Sequence, residues 1–151
     1  MIGALESRLA RLAGPTHAIL RIGAALLFMQ HGWMKLFGSF GGVDGQGGTV
    51  DLMTRFGVAG VIETFLTWFI VIGFLTRPIA AIMFVEMLAA YWMVHMPQGG
   101  FPIQNGGELV LLFALAWLFL VGNGAGPWSV DAALARRSAR GGTAATSGMR
   151  V

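Results

Sequence analysis

Seven ionisable side chains stand inside otherwise apolar stretches of this sequence: Arg21, His31, Lys35, Glu63, Glu86, His95 and Glu108. A charged group near the middle of a bilayer costs about 2.5–3.5 kcal/mol on insertion scales, so each needs a partner, an aqueous cavity or a route to the interface. Carboxylates converging with a histidine give a place to hold or pass a proton, which makes Glu63, Glu108 and His31 the candidate catalytic groups. His31, Lys35 and His95 are the candidate cofactor contacts. His31 and His95 on different segments could ligate a haem iron, but a membrane histidine is more often held by a carboxylate, and haem is the weaker reading. No Glu-x-x-His pair is present, so no metal site is expected. The absence of cysteine removes disulfides, thiolate metal ligands and cysteine nucleophiles together. No Ser, His and Asp set suggests hydrolysis. GGVDGQGG lacks the Lys-Ser/Thr ending of a phosphate loop and reads as a flexible extracytoplasmic loop.

The elements that must position these groups follow from composition. Of 151 residues, 56% are hydrophobic and 11% charged, against roughly 25% charged in soluble domains. One small globule cannot hide that apolar excess, and a bilayer is the solvent that accepts it. Four spans are predicted, at about 16–37, 58–76, 78–96 and 105–122, giving an all-α four-transmembrane-helix bundle over 16–128. Residues 1–15 form a cytoplasmic arm. Residues 129–151 are small, polar and basic, and are expected to be a disordered tail. Arg77-Pro78 suits a turn into a helix, and Pro97 should stop the third span before it. The first segment carries Arg21, His31 and Lys35, unlike a cleaved signal peptide.

The net charge of +3 does not indicate nucleic acid, because the basic residues are spread over segment ends and the tail. Arg8, Arg11, Arg77, Arg136, Arg137, Arg140 and Arg150 all fall on one side of the four-span layout. The positive-inside rule then places both termini in the cytoplasm. Trp33 and Trp92 fall near the outer interface and Trp128 near the inner one.

Rise per residue sorts the buried polar groups by depth. His31 and Glu63 lie roughly 9 Å below the outer ends of their helices, with Lys35, His95 and Glu108 nearer that surface. Arg21 and Glu86 lie roughly 8 and 12 Å above the inner end, and are expected to form a structural ion pair. His31, Lys35 and Arg21 share one face of the first helix, which must point into the bundle.

The segments RIGAALLFMQHGWMKLFG, GFLTRP and above all NGGELVLLFALAWLFLVGNGAGPWSVD resemble the DoxX family of bacterial membrane proteins, over about residues 15–131. Position by position, Arg21, Gly32 and Lys35 match the first-span pattern, Glu63 the second, Arg77 the turn, and Asn105, Glu108, Gly126 and Asp131 the last. The resemblance implies a multi-pass protein of the bacterial inner membrane, related to subunits of quinone-linked sulfur oxidation and of oxidoreductase assemblies in oxidative-stress defence. It adds Asn105 to the cofactor contacts. The lack of cysteine argues against thiol or persulfide chemistry on this chain.

Two readings follow. In the first, the chain is a membrane subunit of a quinone-linked oxidoreductase rather than a stand-alone enzyme: Lys35 or His31 donates to a quinone oxygen, while Glu63 and Glu108 take protons. In the second, it is a scaffold or assembly subunit of a larger membrane complex, and its ion pairs only hold the helices together. A cavity of roughly 300 Å³ or more beside the cluster separates them. A transporter fits less well, since there are no internal repeats.

Overall fold

The computed structural model describes residues 2–147, and every named element in it is helical. Helix α1 (Ile2–Ala10) leads into α2 (Ala13–Phe37) through a bend of 47°. Gly38, at φ 68°, ends α2 by donating its N–H to the Trp33 carbonyl, a left-handed cap that glycine adopts without steric cost. Helix α3 (Arg55–Ile72) starts three residues earlier than the sequence suggests, because the Thr54 hydroxyl caps the Gly57 N–H at 3.2 Å. It stops at Gly73, φ 69°.

Helix α4 (Thr76–Gln98) runs through Pro97, which was expected to stop it. The helix first widens to i→i+5 bonding over Tyr91–His95 and then tightens into a single turn, Met96–Gln98. These changes of pitch accommodate a residue with no N–H to donate. After a short helical turn, Pro102–Asn105, helix α5 (Glu108–Asn123) follows.

Helices α2, α3, α4 and α5 close a ring in which each packs on the next and α5 returns to α2, with α4 against α5 the most extensive pair. Inside lie Ala25, Phe28, Ile70, Met83, Phe113 and Trp117. Phe28 meets Phe113 and Trp117 at centroid separations of 5.0 and 5.2 Å. The outside is as apolar as the inside, with Ile19, Leu27, Phe65, Val85, Leu112 and Leu115 all more than half exposed. Such a surface suits lipid rather than water. Helices α3 and α4 are each long and apolar enough to cross a membrane, and α1 with α2 is a third candidate if the bent pair counts as one span. Helix α5, at 16 residues, is apolar but shorter than a straight crossing.

Two expectations need correction. The tail expected to be disordered forms helix α6 (Val130–Ser147). Alanine, leucine and arginine favour helix, Asp131 sits in the first turn, and the Ser129 hydroxyl accepts from the Ala132 N–H at 3.2 Å. Residues 148–151 of that expected tail lie outside the described residues. The glycine-rich loop, read as flexible, is tied by its own hydrogen bonds. Asp44 Oδ1 accepts from the Gln46 and Gly48 N–H groups at 2.8 Å each, and Val50 N–H donates to the Lys35 carbonyl at 2.9 Å.

Helices α2 and α3 come close together at Gly32, where a Cβ would run into the Thr64 hydroxyl and would lie 2.7 Å from the Thr64 nitrogen. Gly32→Val should therefore destabilise the fold by about 1–3 kcal/mol or more, seen as a lower midpoint of thermal unfolding in detergent. The Gln46 and Gly48 N–H groups hold the Asp44 carboxyl below its ordinary value near 3.8. A depressed carboxylate stabilises the loop above its unfolded pKa and loses that effect as pH falls through the folded one. Protection of the Gln46 and Gly48 amides, taken relative to their intrinsic exchange rates, should be high at neutral pH and fall as Asp44 is protonated in acid, and Asp44→Ala should remove it throughout.

Candidate functional site

A cleft of about 400 Å³ opens among α2, α3, α4 and the start of α5, toward the end of the bundle that carries the loop before α5. His31, Lys35, Glu86 and His95 line it, with Arg55 from the first turn of α3. Lys35 Nζ reaches across from α2 and donates to both oxygens of Glu63, whose residue is 3% exposed. This is the one ion pair among the described residues. Glu63 stands in a second widened turn, Ile62–Leu66, where i→i+5 bonding adds a residue to the helical circuit. The Thr67 hydroxyl takes up the Glu63 carbonyl at 2.6 Å.

Glu86, unlike Glu63, is a carboxylate left unsatisfied. Both of its carboxylate oxygens are buried with no hydrogen-bond partner among the described residues, and it lies near enough to feel the charges of both Glu63 and Lys35. An unpaired buried carboxylate is costly, and sites that bind or move protons are where such groups persist. The His31 ring packs edge-on to Phe113 at 6.0 Å and also lines a second hollow of about 270 Å³ beneath Phe40. His95 stacks on Tyr91, with its Nδ1 2.9 Å from the Asn105 carbonyl oxygen.

The structure therefore brings together His31, Lys35, Glu63 and His95, leaves Glu108 and the Asn105 side chain out of the cleft, and does not form the expected pair of Arg21 with Glu86. Glu108 is exposed and lines no part of the cleft. It opens α5, where a side chain leans back toward the helix N-terminus and out of the bundle, complementing the helix dipole. The Asn105 side chain is spent on its own loop: its amide donates to the Gly99 carbonyl at 2.8 Å, and its oxygen accepts from the Gly107 N–H at 2.9 Å. Arg21 and Glu86 do not pair. Arg21, 1% exposed, donates to the Ile70 and Val71 carbonyls at 2.5 and 2.6 Å and to the Trp128 carbonyl at 2.8 Å. Depth alone suggested the pair, but the guanidinium turns toward the C-terminal end of α3, where unsatisfied carbonyls offer a better cation site.

The opposite end of the bundle is built from such caps. The Asp131 carboxylate accepts from the Leu75 and Thr76 N–H groups at 2.9 and 3.0 Å, holding the start of α4. Arg77 donates to the Val121 and Gly122 carbonyls at 2.6 and 2.7 Å, at the end of α5. His17 Nε2 is 3.0 Å from the Gly124 oxygen. The sequence reading missed Glu86 and Arg55 as cleft residues. The signal for Glu86 was its carboxylate inside an apolar span, which was assigned to the wrong partner.

The DoxX family model matches residues 16–96. A protein of Haemophilus influenzae carrying the name "Uncharacterized protein" is 42% identical over 118 residues, covering 76% of this chain and 87% of that protein. No solved structure matches.

Removing one member of a buried ion pair strands the other. Lys35→Met should thus cost about 3–5 kcal/mol of stability. Lys35→Met combined with Glu63→Leu should recover most of that loss, in a double-mutant cycle measured by unfolding in detergent.

Proposed function

The chain belongs to the DoxX family, and on that premise we propose that it is a membrane subunit of a quinone-linked oxidoreductase assembly that offers a quinone-headgroup and proton site. The observation that carries this reading is the unpartnered Glu86 carboxylate at a cleft of about 400 Å³, beside the Lys35 ammonium and the His31 ring. The volume exceeds the roughly 300 Å³ that small-molecule sites need, and apolar walls with a few convergent polar groups are their usual composition. A quinone bound there would supply two-electron, two-proton chemistry, its electrons exchanged with a partner oxidoreductase.

The chain's own residues divide the remaining work. Lys35 Nζ, held by Glu63, presents a fixed donor at the cleft wall. A ring N–H of His31 is a second donor. Glu86 Oε1 and Oε2 are free to take or return a proton. Methionine and alanine side chains of α2 and α4, Met34, Met93 and Ala89 among them, keep the rest of the wall apolar.

In the membrane, the proposed arrangement is four spans with both termini in the bacterial cytoplasm. Helix α5 closes the helical ring although it is short, and Arg77 lies at the same end as α6 with its Arg136, Arg137 and Arg140. A second reading, a scaffold within a larger membrane complex, draws on the residues spent on caps. Arg21, Arg77, Asn105 and Asp131 are all engaged in holding backbone ends.

The test is binding of a quinone to the chain reconstituted in nanodiscs, read by quenching of tryptophan fluorescence. Glu86→Gln should weaken binding by about tenfold or more, the equivalent of a lost charge-assisted hydrogen bond, while thermal stability stays level or rises. Wild-type protein that binds no quinone would leave the scaffold reading in place.

A further inference from the structure

A second hollow, of about 510 Å³, lies between α3 and α4 on the outer face of the bundle. It shares Arg55, Ala59, Glu86 and Ala89 with the cleft, so the two adjoin at these four residues. Beyond that junction its walls are Val58 and Ile62 from α3 and Ala81, Ile82 and Val85 from α4. Val58 is 54% exposed, Ile82 45% and Val85 63%, which places the groove on the apolar surface of the bundle. Alanines at 59, 81 and 89 leave the space that larger side chains would fill. Both charged groups of the groove, Arg55 and Glu86, belong to its junction with the cleft. The smaller hollow beneath Phe40 also touches the cleft, through His31, Met34 and Leu109, but it reaches neither Glu86 nor Arg55.

We propose that this groove between α3 and α4 seats the apolar tail of a ligand whose polar head occupies the cleft. The ligand is thereby an amphiphile with a hydrogen-bonding ring and a long hydrocarbon or isoprenoid tail, and it enters sideways from the hydrocarbon layer rather than from water. The proposal rests on the headgroup reading of the cleft and extends it to the ligand's other half. The shared border of the two hollows selects the occupant, since Glu86 lines both and a head drawn to it leaves its tail beside Val58 and Val85.

Two quinones with the same ring separate the parts, one without a tail and one with an isoprenoid tail, each titrated into nanodiscs holding wild-type chain, Val85→Trp or Val58→Trp. Either tryptophan fills the groove from an exposed position outside the cleft, and both use the same lipid, so membrane partitioning cancels between variants. The expected result is a loss of about tenfold in affinity, roughly 1.4 kcal/mol, for the tailed ligand, with tail-less affinity unchanged. Equal affinity of wild type and both variants for the tailed ligand would overturn the groove while leaving the cleft reading intact, as would an equal loss for both ligands. A wild-type chain that binds neither ligand would instead sink the headgroup site itself.

Discussion

The architecture depends on a buried guanidinium. Arg21 sits almost wholly out of solvent on α2, and its donors close the carbonyl end of α3 and reach the Trp128 carbonyl beyond α5. A cation at that place satisfies groups that no intrahelical bond can, in surroundings where each unsatisfied carbonyl is expensive. No room is left at Gly73, where a Cβ would lie 2.5 Å from the Ser129 Cβ and 3.0 Å from a guanidinium nitrogen. Arg77 repeats the solution at the end of α5, and Asp131 applies its mirror image to the amide end of α4.

The two ends of the bundle are consequently unlike. One is closed by charge against backbone, with each cap crossing from one element to another. The other holds charge against charge in Lys35 and Glu63, and beside them a carboxylate with nothing to hold. That contrast is why the proposed binding site is put at the cleft and support at the caps.

Much of this was legible in the residues. An apolar composition with periodic breakers implied an all-helical membrane protein, and the spacing of His31 and Lys35 put both on one inward face. Depth along the helices correctly grouped Lys35 with Glu63. Depth says nothing about direction around the helix axis, however, and that is why Arg21 was matched with Glu86 when its true partners are backbone carbonyls. Glu108 shared the right height but occupies a helix start, where the side chain leans away from the core. Composition misjudged the segment after Ser129, because a polar, basic stretch can still be helical when alanine and arginine dominate it. Asn105 looked like a ligand contact because its type suits one. Its local geometry shows a residue that folds its own loop.

The widened turns at Ile62–Leu66 and Tyr91–His95 change how the helices that contain them aim their side chains. Each holds one residue more than a regular turn, and each residue in a helix turns the chain by about 100°. The extra residue therefore resets the angular phase between the two halves of its helix. In α3 the reset lies just at Glu63, which meets Lys35, with the core residue Ile70 on the half that follows. Side chains before and after a widened turn can thus be aimed independently, each half of the helix keeping its own compass bearing.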